Sequence, residues 1–362
     1  MSAEARRFLV AFTLFGGCTL LGVLGRRGCA ESLYAQSEAR ILQLRAAEGP
    51  QRTRIVFRLI RTLGSLDGVH DAFGEIWSVA LDSRANIYVV DRSRAQVLVF
   101  DSAGNFRAAI GRKGRGPGEF VSPINLAIGP GDSVLVFDQG VRRMSLFDPA
   151  GRFARSGPVL GFPLVNSIVF RWPAGWVIAA YSPTLTGVVH LLDSELAVVR
   201  SLGNSAPVTV PYYWESVLGG YLDVTPSGSI LYSQKSPFEL RLYGGDGTVL
   251  WVCRGFGSET TPPGEVVVVE GDRRRLIWDR YVHSAGVFAI SDSLFLNLIT
   301  DPVRDLRQLD LIDFDCRLRA RAVVEGPVFF SSSRNIGNRR IFVGSRTLDF
   351  PEVVVYEMQL LH

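Results

Sequence analysis

Few residues in this 362-residue chain combine a reactive side chain with the spacing that chemistry needs. The most conspicuous stretch is GRKGRGPGEF, residues 111–120, with four glycines and three cations. Such a turn cradles phosphate when GK is followed by Ser or Thr and then by a helix whose amides and dipole face the anion. Here Lys113 is followed by Gly114, and the next segment, FVSPINLAI, is strand-like and contains Pro123. A dinucleotide fingerprint fails for want of the same helix. The stretch therefore predicts a crossover between strand units, with Phe120 packed between sheets. His70, His190, His283 and His362 are far apart, and none is paired at metal-ligand spacing. There is no GxSxG elbow and no CxxC pair. Of the four cysteines, Cys18 and Cys29 lie in or beside an apolar N-terminal run, and Cys253 and Cys316 are read as two free, partly buried thiols.

That apolar run, FLVAFTLFGGCTLLGVL at 8–24, carries no charge and is flanked by Arg6–Arg7 and Arg26–Arg27. A cationic start before an apolar core is the pattern of an export signal. Three modes fit it: a retained membrane anchor, a cleaved signal peptide, and a lipoprotein signal that would acylate Cys18. The periplasm or the outer face of the cell membrane is the expected location. The formal charge of +4 resides mostly there, since residues 1–30 hold four arginines against Glu4 and leave the remainder near +1. A nearly neutral body lacks the basic stripe of a nucleic-acid binder. With 47% hydrophobic and 20% charged residues, the body has the composition of a large-cored globular protein.

The elements that must position any site come from a repeat. An apolar or aromatic residue followed by an acid or turn residue closes a β-rich run at Phe100–Asp101, Phe147–Asp148, Leu192–Asp193, Tyr243–Gly244, Phe314–Asp315 and Tyr356–Glu357. The first unit reads IWSVALD, IYVVD, QVLVFD and FRAAIG, short runs punctuated by SRAN and SAGN turns. The second repeats the scheme, whereas DSEL and DCRL replace the glycine turn in the third and fifth. A period in the forties with four strands per unit is that of propeller blades. After Tyr356–Glu357 only MQLLH remains, too little for an outer strand. Phe57 to Gly64 parallels Phe106 to Gly111, so an N-terminal strand at about 54–64 completes the last blade and removes an open edge. The expectation is an all-β, six-bladed propeller over 53–362, preceded by a tether at 31–52 whose ARILQLRAAEG reads as partly helical.

Residues 111–155 resemble an NHL repeat through GRGPGEFVSPINLAI and DSVLVFDQGVRRMSLFDPAGRF. Residues 73–110 resemble it more loosely: Asp91 and Phe100–Asp101 agree, and Gln96 stands where the second unit has Arg143. The whole chain is thus similar to exported bacterial six-bladed propellers related to NHL proteins. Relatives that cleave amidated peptides use a Pro-His step at an inner strand, where this chain has SPINL with Asn125. Lactonase-type relatives hold calcium with a Glu/Asn/Asp set, which the resemblance would carry to Glu75, Asn125, Asn166 and Asp223. The repeat itself points to a different site. Arg92 and Arg94 in unit one, and Gln139 and Arg142 in unit two, occupy matching loops, and equivalent loops share one face of a ring. Arg112, Lys113 and Arg115 join them on the crossover. Tyr212, Tyr213 and Trp214 cluster in the insertion before unit four and could line a pocket. The leading expectation is a monomeric, non-catalytic envelope propeller, without cofactor, that binds a protein, peptide or glycan. The alternative is a calcium or zinc hydrolase or lyase working in the channel.

Overall fold

The computed structural model describes residues 40–45, 53–162, 164–171, 175–181, 185, 187–203, 219–235, 239–254, 266–268, 274–276, 283–301, 306–324 and 326–361. The leader with Cys18, and the Tyr212–Trp214 cluster, lie outside them.

Each run of β-branched and aromatic residues forms a short strand, and successive strands pair antiparallel from the inside of a ring outwards. Blade 1 comprises Ile76–Leu81, Ile87–Asp91, Gln96–Phe100 and Phe106–Ile110. Blade 2 comprises Pro123–Ile128, Val134–Asp138, Arg143–Phe147 and Phe153–Val159. Blade 3 follows with Val165–Arg171, Gly175–Ala180, Val189–Leu192 and Val198–Leu202. Gly220–Val224, Ile230–Gln234, Glu239–Tyr243 and Val249–Arg254 build blade 4. Blade 5 contains His283–Ala289, Leu294–Asp301, Leu306–Asp313 and Leu318–Val323. Blade 6 takes Phe329–Ile336, Arg339–Thr347 and Pro351–Leu361 from the C-terminal end, and its outer strand is Arg54–Leu63. That strand runs antiparallel to the last one, from Arg54 opposite Leu361 to Leu63 opposite Val353. The chain is a six-bladed β-propeller, closed as its sequence predicts.

The core is divided. Each of the six junctions between neighbouring blades buries its own apolar cluster, such as Val90, Phe120 and Phe147 between blades 1 and 2. At the closing blade Phe57 stacks on Phe330 at 5.3 Å and meets Phe342 edge-on at 5.2 Å. His190 is buried in blade 3, with Nδ1 2.8 Å from the Ser201 hydroxyl and Nε2 3.1 Å from the Ala180 carbonyl. A carbonyl only accepts, so Nε2 carries the proton and Nδ1 receives the Ser201 hydroxyl.

Three expectations are corrected. In the turn before the outer strand of blades 1, 2 and 3 an aspartate accepts amides two and four residues on, as Asp101 does from Ala103 and Asn105. The blade 5 aspartate in this role is Asp313, which accepts from Asp315 and Arg317, so Ile312–Asp313 is the true counterpart and not Phe314–Asp315. Leu196 and Cys316 occupy the left-handed position that Gly104 and Gly151 take elsewhere, with φ of 63° and 61°. Tyr356–Glu357 lies inside the third strand of blade 6 and does not end it. Second, Cys253 and Cys316 are not free thiols but a disulfide joining the outer strand of blade 4 to this turn of blade 5, with Cα atoms 5.7 Å apart. Third, the tether is not helical where it is described. Arg40–Gln43 is a strand added in parallel to the outer strand of blade 4. Leu44 and Arg45 then donate to the carbonyls of Arg254 and Cys316, and Leu318 donates back to Arg45. Leu42 and Leu44 pack on the cluster that holds Trp251 and both cysteines, which explains the preference for strand.

Two outcomes follow from this packing. Phe57→Ala should cost roughly 2–4 kcal/mol in urea unfolding, because it empties the closing blade, whereas Leu66→Ala, on an exposed side chain, should change little. Burial lowers the His190 pKa from 6.5 to about 4. The unfolded chain therefore takes up a proton that the folded one refuses, and stability should fall as pH drops from 6.5 to 4. His190→Asn should flatten that slope.

Candidate functional site

Propeller geometry places the crossovers between blades, and the loops joining each blade's second and third strands, on one face. Two buried aspartates hold this face in blades 1 and 2. Asp91 accepts the amides of Gly74 and Glu75, the Ser93 hydroxyl and the Arg94 amide. Asp138 accepts the amides of Val121, Ser122, Gly140 and Val141. Each aspartate therefore pins the incoming crossover to the neighbouring loop.

The crossover 111–120 spends its amides internally. Gly114 donates to the Phe120 carbonyl, Phe120 to Arg112, and Gly116 to the Glu119 carboxylate. Phe120 is fully buried, and a Cβ on Gly111 (φ +76°) would come within 2.3 Å of its ring. No phosphate cradle forms. Arg112 pairs with Glu119, whose carboxyl is held below its usual range by the Gly116 amide and then by Arg112. Lys113 and Arg115 are exposed.

The predicted loop residues divide by role. Arg94 turns inward to the Ala72 carbonyl at 2.6 Å and to Asp91, so it braces the loop. The Gln139 amide donates to the Ser122 carbonyl, and Arg142 is exposed with its carbonyl accepting from Leu160. Arg92 bonds Ser122 through Nε, lies 3.4 Å from Glu75 and covers the ring of Trp77 at 4.7 Å. Trp77 is the second residue of the inner strand of blade 1, at the mouth of the channel. Among the described residues the same pairing occurs twice more at this mouth. Lys235 lies 5.0 Å from the Tyr221 ring at the start of blade 4's inner strand, and Arg307 lies 4.6 Å from Phe329 at the start of blade 6's. Sequence reading missed Trp77, Tyr221, Lys235, Arg307 and Phe329. The recurrence of an aromatic as the first or second residue of IWSVAL, GYLDV and FFSSS is the signal that could have found them.

Of the four residues of the metal reading, Asn125 and Asn166 are brought into direct contact. Glu75 lies at this mouth, paired to Arg92. Asn125 and Asn166 lie near the starts of neighbouring inner strands, where the Asn125 amide group donates to the Asn166 carbonyl at 2.9 Å. Asp223 lies towards the far end of its strand, accepting from Val224 and Ala289. Among the described residues no group of three or more His, Cys, Asp or Glu could hold a metal.

At the opposite mouth two arginines from blade 6 reach around the ring. Arg334 donates to the Leu81 carbonyl and lies 3.9 Å from Asp132, which accepts from Ser83. Arg340 donates to the Ala289 carbonyl and to Ser333, and lies 3.9 Å from Asp223. This charged girdle links blades 1, 2, 4, 5 and 6.

Comparison with known proteins agrees with this architecture. A family described as a 6-bladed beta-propeller matches residues 73–156, the first blade and most of the second. No curated protein matches the sequence. Among solved structures, a protein of Bacteroides fragilis described as exported aligns with a TM-score of 0.58 at 10% identity, covering 89% of this chain and all of its own. A DUF4221-family protein of Bacteroides vulgatus gives 0.56 at 10% identity over 86% of this chain and 99% of its own. A gluconolactonase of Xanthomonas campestris gives 0.51 at 13% identity over 80% and 88%. At such identities the likeness establishes the fold alone.

Asp223 supplies the test of the far mouth. Burial raises its carboxyl from 3.8 to about 6, against the opposing pull of Arg340. Between these values the folded state keeps a proton that the unfolded chain has lost, so stability falls as pH rises through the window, by up to roughly 3 kcal/mol. Asp223→Asn should shrink the difference in unfolding free energy between pH 4 and pH 7.

Proposed function

We propose that the ring is a non-catalytic binding propeller of the cell envelope, exported by its N-terminal leader, which takes an extended acidic ligand across the crossover mouth. The observation that carries this reading is the set of three cation–aromatic pairs at Arg92–Trp77, Lys235–Tyr221 and Arg307–Phe329. Each pair sets a positive charge beside apolar aromatic surface, a combination that suits an acidic sugar or an acidic peptide. Arg112, Lys113, Arg115 and Arg142 widen the positive rim, and Gln139 adds an amide. The export leader and the exported B. fragilis neighbour support the location. The reading calls for no cofactor, and a single ring suffices.

Oligogalacturonate, a polyglutamate peptide and neutral dextran distinguish the ligand chemistries. One of the two acidic polymers should be retained by the purified chain at low salt and released as ionic strength rises. The Arg92→Ala/Arg307→Ala double variant should bind at least about tenfold more weakly, whereas Arg152→Ala, on an exposed turn, should bind normally. Elemental analysis of the same preparation should find no stoichiometric calcium or zinc. A tightly held equivalent of either would overturn the reading in favour of channel chemistry.

A further inference from the structure

A second cavity lies away from the channel, on the flank between blades 1 and 2, with a volume of about 360 Å³. That is near the lower limit for pockets that take small molecules. Its apolar part comes from Val99 and Ile110 of blade 1 and from Pro149 in the last turn of blade 2. Its polar part includes Asn86, whose side chain is engaged by Asp82, and two cations: Arg84 from the first hairpin of blade 1 and Arg107 from the outer strand. Both arginines are exposed, and among the described residues neither guanidinium makes an ion pair or a hydrogen bond. Tyr88, 97% buried, adds a phenol whose hydroxyl has only a long 3.4 Å contact to Asp82.

The neighbouring acids remain charged, and Asp101 is stabilised by hydrogen bonds from Asn105 and also by Arg107, but none of them makes an ion-pair contact with either guanidinium among the described residues. One Asp82 oxygen accepts the amides of Arg84 and Asn86, and the other accepts the Asn86 side chain at 2.7 Å. Asp101, near Arg107, is likewise engaged by Ala103 and Asn105. Asp132, which also faces Tyr88, is held by Ser83. Burial, followed by the charges of Asp82 and Asp132, keeps the Tyr88 phenol protonated well above its ordinary range, so it remains a donor. Two guanidiniums without an ion-pair partner and a phenol at the edge of an apolar floor match the chemistry of an anion that has an apolar body.

We propose that this cleft is a binding site for a small organic carboxylate, whose charged group lies between Arg84 and Arg107 and whose apolar body lies on Val99, Ile110 and Pro149. The site is independent of the crossover mouth. It uses the planar, two-pronged match between guanidinium and carboxylate, with Tyr88 as a third donor. An anion without an apolar body loses the floor, and an apolar molecule without charge loses the arginines.

Ligand-detected NMR titration of the full chain with sodium benzoate, benzamide and inorganic phosphate tests it. Benzoate should bind saturably, and benzamide and phosphate at least about tenfold more weakly. Arg84→Gln/Arg107→Gln should weaken benzoate at least about tenfold without moving the thermal midpoint, since both side chains are exposed, and Tyr88→Phe should weaken it about threefold. Equal binding of benzoate and benzamide, equal binding of benzoate and phosphate, or benzoate binding indifferent to both arginine substitutions would each overturn the proposal.

Discussion

Everything in this molecule depends on the pairing of Arg54–Leu63 with Pro351–Leu361. A propeller blade cannot bury its faces alone; each needs a neighbour on both sides. With six separate clusters and no common centre, an unclosed sixth blade exposes its own outer edge and loosens the cores on either side of it. The aromatic contacts of Phe57 with Phe330 and Phe342 add side-chain packing to the backbone ladder there. The two mouths of the channel have fixed outlines only because the ring is closed.

Within the closed ring, buried carboxylates convert strand geometry into loop geometry. Asp91 and Asp138 each gather backbone amides from a crossover and a loop that are far apart in sequence. Such charge-assisted bonds are strong where water is excluded. They leave the arginines beyond them little freedom at the backbone, which is why Arg92 can lie over Trp77 while Arg94 is drawn inward. Adjacent cations of the same type thus serve different ends.

Periodicity in the sequence revealed most of the fold, because a blade is built from local hairpins whose turns carry their own chemistry. Strand runs, the Asp-x-x-Gly turns of blades 1 and 2 and the closing strand were all legible. Blade 5 was misaligned by two residues, since Cys316 stands where a glycine marks the turn elsewhere. That shift also hid the disulfide, whose partners are 63 residues apart and meet only when blades 4 and 5 stack. The tether's strand was illegible for a related reason: its conformation is set by an edge of blade 4 far along the chain. Of the candidate site, Arg92 and the crossover cations were visible as loop residues. The aromatic partners read as ordinary strand residues, and only the ring puts them at one mouth.

The strand at Arg40–Gln43 has a mechanical consequence. If the proposed leader is retained in a membrane, a pull on it reaches this segment before the closing strand. The first resistance is a ladder of backbone bonds to blade 4, continued to blade 5 through Arg45, directly over the covalent link between Cys253 and Cys316. Tension is thereby shared between two blades that cannot separate.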